Sequence, residues 1–155
     1  MRAGARRALA KRSRLEHAGR MAGPPITSQI GATENALRAL LVAVLDGSGV
    51  EGYEAWVYLN VRAAYPDDQV EQRVAEVLHG SAEVVTVVRD ELIEGGTLTA
   101  DATLSDLGAT RLEEARRRVA GAVARVTDGI DPAELAVVEF VLARIRAQAE
   151  AELGA

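Results

Sequence analysis

Three side chains on one short stretch have the chemistry to meet a nucleic acid: Ser81, Thr86 and Arg89. A hydroxyl can bond a phosphate oxygen or a base edge, and a guanidinium can do either through two parallel N–H groups. They are the convincing donors between residues 81 and 94, where Glu83, Asp90, Glu91 and Glu94 add negative charge that opposes a phosphate backbone. A second group, the aromatic residues Tyr53, Trp56 and Tyr65, lies on one predicted helix or at its end. Packing accounts for these residues, and a candidate small-molecule pocket is the alternative.

Catalytic constellations fail quickly. The chain has two isolated histidines, His17 and His79, and no cysteine, so thiolate metal sites, disulfides and a Ser-His-Asp set are excluded. His79 falls at a predicted helix end, which makes it a C-terminal cap. Gly47-Ser48-Gly49 is a loop without phosphate-loop spacing. Glu113-Glu114 and the pair Glu150 and Glu152 read as solvated helix faces. No enzyme activity and no cofactor are expected.

The donors must be held by local structure. Val70, Val74, Val77 and Leu78 mark one face of a short helix. His79-Gly80 ends it, glycine being the residue that accepts a left-handed conformation, and Ser81 is placed to cap the next helix through its hydroxyl. That helix carries Val84, Val85, Val88, Leu92 and Ile93 and stops at Gly95-Gly96. Thr97-Leu98-Thr99 and Ala102-Thr103-Leu104 can pair as a ribbon across a two-residue tip, Ala100-Asp101. Helix, turn, helix, ribbon is the layout of a winged helix-turn-helix, in which the second helix can enter a DNA major groove.

Upstream, Gly23-Pro24-Pro25 separates a basic arm, residues 1–24, from the body. Thr33 is expected to cap a helix from Glu34 to Leu45. Residues 51–64 form the next, with Trp56, Leu59 and Ala63 on one stripe, closed by Tyr65-Pro66. Downstream, Ser105 caps a long helix to about Thr127, with Leu112, Ala115, Val119, Ala122 and Val126 in 3-4-3-4 spacing. Asp131-Pro132-Ala133-Glu134 starts the last helix with a capping carboxylate, a proline at the first position and a glutamate at the third. Leu135, Val138, Leu142 and Ile145, widened by Val137, Phe140 and Val141, make that helix apolar around much of its circumference. A second copy of the chain is the simplest cover.

Charge is unevenly spread. Residues 1–20 hold seven basic groups and one acid, whereas the rest holds 11 basic and 22 acidic groups. The arm is expected to be disordered and dispensable for folding, or an extension upstream of a start at Met21. A role at phosphates is the alternative. No run of apolar residues reaches membrane-spanning length, and no apolar segment follows the basic start as in a signal peptide, so a cytoplasmic protein without membrane contact is expected.

From about Pro25 to Leu153 the chain resembles the MarR-type winged helix-turn-helix regulators. The resemblance rests on Leu104-Ser105-Asp106-Leu107-Gly108 running into Arg111-Leu112-Glu113-Glu114-Ala115, then on Asp131-Pro132-Ala133-Glu134-Leu135, with Gly96 before the ribbon. It implies a mainly α fold: a winged helix-turn-helix with long N- and C-terminal dimerisation helices and a short two-stranded β-wing. Residues 25–155 would then be one domain, with a DNA-reading lobe at about 51–104 and dimerisation helices at about 33–46 and 105–153. It further implies a homodimer that binds a double-stranded operator, acts as a ligand-responsive repressor and responds to a small aromatic ligand. The chain departs from the pattern at the reading helix, where Val87 stands in place of a common arginine, and at the wing, which lacks an arginine. These departures favour the alternative of a divergent winged-helix protein-interaction module with weak or no DNA binding.

Overall fold

The computed structural model describes residues 25–65 and 69–154. The basic arm lies outside the described residues. The described chain is mainly α-helical: α1 (Ile26–Leu45), α2 (Tyr53–Ala64), α3 (Val70–Leu78), α4 (Ala82–Glu94), α5 (Asp106–Val126) and α6 (Pro132–Leu153). Two compact units meet in sequence between Ala43 and Val44.

The first unit contributes most of α1. Thr33, expected to start this helix, is instead inside it, and the helix begins at Ile26. Pro25 provides the start, its carbonyl accepting from the N–H groups of Ser28 at 2.8 Å and Gln29 at 3.3 Å. Residues 26–33 contain nothing that stops a helix, and one internal glycine, Gly31, costs only about 1 kcal/mol. Arg38 and Glu34, one turn apart on its surface, pair at 2.7 Å.

The second unit is built around α2. Helices α3 and α4 pack on α2 and on each other, and α5 also packs on α2. Consecutive residues Val57, Tyr58 and Leu59 are all buried, because neighbours on several sides close a wide arc of α2. Tyr58 is therefore the largest fully buried side chain, whereas Trp56 is only half-buried and Ala63 is exposed. From α3 come Val70 and Val74, and from α4 come Val85, Val88 and Leu92 at helical spacing. Leu45, Val50, Leu98, Leu112, Ala115 and Ala122 complete the core. Burying each such aliphatic side chain is worth about 1.5–3 kcal/mol.

The turn between α3 and α4 is a Schellman motif. Gly80 N–H donates to Ala75 O at 3.1 Å and His79 N–H to Glu76 O at 3.3 Å. The left-handed residue is His79 itself, at φ 47° and ψ 35°, and not Gly80. His79 is thus a backbone cap, as expected, but one that carries the conformational strain a glycine would avoid. Ser81 occupies the N-cap of α4 with extended backbone, yet its hydroxyl makes no capping bond.

The expected two-stranded wing is reduced to a hairpin with a single antiparallel bridge, Leu98 to Leu104. Thr99 N–H donates to Thr103 O at 2.8 Å and Ser105 N–H to Thr97 O at 3.2 Å. The tip is three residues, Ala100 to Ala102, with Ala102 left-handed at φ 53°, and not the two expected. The shortness has a plain cause. Thr97 N–H is still committed to closing α4, through Leu92 O, and Ser105 is already the N-cap of α5. A three-residue tip leaves only Thr97–Thr99 and Thr103–Ser105 to pair.

The start of α5 is locked to the hairpin. The Ser105 hydroxyl accepts from Gly108 N–H at 2.9 Å and donates toward Gly96 O at 2.7 Å and Thr97 O at 3.1 Å. Gly108 lies so close to the hairpin that a Cβ there would fall 2.0 Å from Thr97 O. Gly96, left-handed at φ 69°, lets the chain turn from α4 into this contact. The Leu-x-x-x-Gly segment seen in the sequence is thus a packing requirement. Asp131 caps α6 by accepting from Ala133 N–H at 2.7 Å, with Pro132 at the first position, as the sequence indicates.

Candidate nucleic-acid interface

The three donors share α4 and its N-cap, but their side chains have different fates. Ser81 is exposed at the start of the helix. Thr86 is half-buried, and its hydroxyl donates to Ala82 O one turn back at 2.9 Å. Arg89 is drawn across to α3, where Nη1 meets Glu71 Oε1 at 2.7 Å, while Nε and Nη2 hold Asp90 Oδ1 at 3.0 and 2.9 Å. The hydrogen bond to Glu71, then that to Asp90, raises the Arg89 pKa above its ordinary value, so the guanidinium stays charged. Nothing in the spacing of Glu71 and Arg89 announces this contact. It arises because the α3–α4 turn brings two helices side by side.

The strength of that clamp decides what Arg89 can do. Its side chain keeps 28% of its exposure, and its partners keep 47% and 60%. Ion pairs this open contribute about 0–1 kcal/mol, and salt weakens them. A contact worth about 1–3 kcal/mol on a base edge would therefore exceed the cost of opening it. The obstacle is the field around it. Between residues 51 and 104 the sequence has eleven acidic and three basic side chains. Glu83, Asp90, Glu91 and Glu94 on α4 are all exposed, as are Glu71 and Glu76 on α3. Val84 and Val87 are exposed on α4 at 44% and 56%, and offer only apolar contact. The hairpin tip carries Asp101 and no cation.

The aromatic trio does not form one feature. Tyr65 is exposed and stacks under the Arg73 guanidinium, 4.3 Å from ring centroid to carbon. Tyr53 and Trp56 are half-buried on α2, where Trp56 O accepts from the Asn60 amide at 2.8 Å. An open cleft of about 320 Å³ in the same unit is lined by other residues, among them Glu51, Ala55, Val88, Glu91, Leu92 and Arg111. Arg111 carried no sign of this role in the sequence beyond its place in the motif after the wing. Among the described residues, no group of three or more His, Asp or Glu side chains could hold a metal ion. No described helix is long and apolar enough to cross a membrane.

Helix α6 presents the largest apolar exposure. Val137, Val138, Phe140 and Leu142 keep 63%, 51%, 62% and 44% of their accessible surface, and no residue of the helix is buried. Within its own unit α6 packs against no other helix. The 3-4-3 stripe read from the sequence is therefore not consumed by an intramolecular pairing with α5.

No family model, curated protein or solved structure matches the chain.

Proposed function

We propose that the chain is a homodimeric winged helix-turn-helix regulator of the MarR-like kind that contacts operator DNA with α4. The observation that carries this reading is the run α3, three-residue turn, α4, hairpin, α5, clamped by Ser105 and Gly108 against Thr97. That run holds α4 on a rigid three-helix core, as a groove-reading helix requires. Dimerisation is assigned to α6 and the C-terminal part of α5, where Val123 and Val126 are also exposed. Repression, a cytoplasmic location and response to a small aromatic ligand belong to the same resemblance. DNA affinity comes from few contacts: Ser81 at the backbone and Arg89 once released from Glu71 and Asp90. Polarisation titration of the full chain against the DNA upstream of its own gene, at two salt concentrations, tests the reading. Saturable binding that weakens steeply with salt supports it. Absence of binding to any fragment at low salt overturns it.

One observation favours a second reading, a protein-interaction module on the same fold. Arg89, the one basic residue of α4, is already paired twice inside the protein, and the exposed faces of α3 and α4 are acidic. Such a face repels phosphates and accepts a basic polypeptide. The same titration separates the two, since this reading requires weak or no binding to duplex DNA.

A further inference from the structure

The cleft between the start of α2, the end of α4 and the first turns of α5 has a composition that selects a ligand class. Its volume of about 320 Å³ lies within the range of small-molecule sites. Ala55, Val88 and Leu92 give it an apolar lining, and the latter two are buried. Arg111 is fixed there by one nitrogen: Nη1 donates to Gly95 O at 2.9 Å and Thr97 Oγ1 at 2.8 Å. Among the described residues, its Nη2 and Nε have no acceptor. Gly49 lies against the same side chain, where a Cβ would come within 2.7 Å of Nε. The guanidinium is thus positioned by the fold with donors to spare.

Glu51 and Glu91 line the same cleft, are exposed, and form no ion pair with Arg111 or any other described cation. Opposite charges share one concavity without neutralising each other. A simple anion attracted by Arg111 meets two carboxylates, and a simple cation attracted by the carboxylates meets a guanidinium. A molecule carrying both charges on a short frame satisfies both. We propose that this cleft binds a small aliphatic α-amino acid. Its carboxylate would sit on Arg111, its ammonium toward Glu51 and Glu91, and its side chain on Ala55, Val88 and Leu92. A planar guanidinium with two free N–H directions suits a carboxylate. This assignment does not rest on DNA binding, because its readout is the binding heat itself.

The test is calorimetric titration of the full chain with L-leucine, 4-methylpentanoate and 3-methylbutylamine. The last two are leucine without its amine and without its carboxylate. Leucine is expected to bind saturably, and each truncated analogue about ten-fold more weakly, as loss of one charge-assisted contact requires. Glu91→Gln, an exposed change that leaves the core intact, is expected to weaken leucine by a similar factor and to leave 4-methylpentanoate unchanged or tighter. The proposal is overturned by absence of saturable leucine binding at millimolar concentration. Equal binding of leucine and either analogue, or a Glu91→Gln protein with unchanged leucine affinity, also overturns it.

Discussion

The α2–α4 lobe and helix α6 are made of similar residues and finish their folding differently. In the lobe, alternate turns of three helices meet, and Val57, Tyr58, Leu59, Val74, Val85 and Val88 leave almost nothing to solvent. In α6 an equally apolar sequence stays open, with Phe140 at 62% and Val137 at 63% exposure. The same hydrophobic driving force therefore produces a closed core where short helices are joined by tight turns, and leaves an open apolar surface on a long helix that packs against no other helix of its unit. Under the proposed function the second is covered by the same helix of a second chain.

Breaking the lobe at its tightest contact has the largest expected effect. Gly108→Ala forces a methyl against Thr97 O, where the space is 2.0 Å, so α5 and the hairpin must separate. A loss of about 3 kcal/mol is expected, toward the upper end for overpacked sites, and a denaturant midpoint measures it. The effect should be confined to stability, leaving the oligomeric state of the folded protein unchanged.

The complementary break is at α6. Leu142→Asp places a charge in the proposed dimer face, twice by symmetry, and should shift sedimentation at micromolar concentration from dimer to monomer. Trp56 and Tyr58 should keep their near-ultraviolet signature, since the lobe does not use Leu142. A wild-type chain that sediments as a monomer would show that no second copy covers α6.

How far the sequence foretold this contrast depends on the range of the interactions involved. Both long C-terminal helices were legible because their signals are local: Ser105 and Asp131 cap them as their positions suggest, and proline opens α6. The two short helices α3 and α4 and the tight turn between them were legible from their apolar spacing. The start of α1 was not, because Thr33 resembles a cap while nothing before it breaks the helix. The wing is shorter than its sequence pattern suggests, because Thr97 N–H closes α4 and Ser105 caps α5. At the candidate interface, Ser81, Thr86 and Arg89 were identifiable by type. Their commitments were not, since the Arg89–Glu71 contact joins residues 18 apart. The Arg111 cleft likewise assembles from three separate segments.

A smaller effect probes the lobe core by pH. Burial, aided by the nearby Glu71 carboxylate, raises the Tyr58 pKa above its ordinary 10.0. The folded state thus holds this proton more tightly than the unfolded chain. Its contribution is fully present below pH about 10 and is lost as pH rises through that value toward the folded pKa. Alkaline titration should show late phenolate absorbance that is absent from Tyr58→Phe, together with a fall in stability over the same interval. The smallest expected effect is at the hairpin tip. Ala102, left-handed at φ 53°, pays a steric cost that glycine avoids, so Ala102→Gly should stabilise the protein by up to about 1 kcal/mol in the denaturant midpoint.

The proposed reading of DNA by α4 once Arg89 is released is probed by the double variant Glu71→Gln, Asp90→Asn. Polarisation titration against the upstream fragment at fixed low salt compares it with the wild type. Tighter binding by up to about ten-fold is expected, because two ion pairs worth about 0–1 kcal/mol each need no longer be opened and two repelling charges are gone. Adding Arg89→Ala should cancel most of the gain. Binding that is unchanged by the double variant, or a gain that survives loss of Arg89, would contradict it.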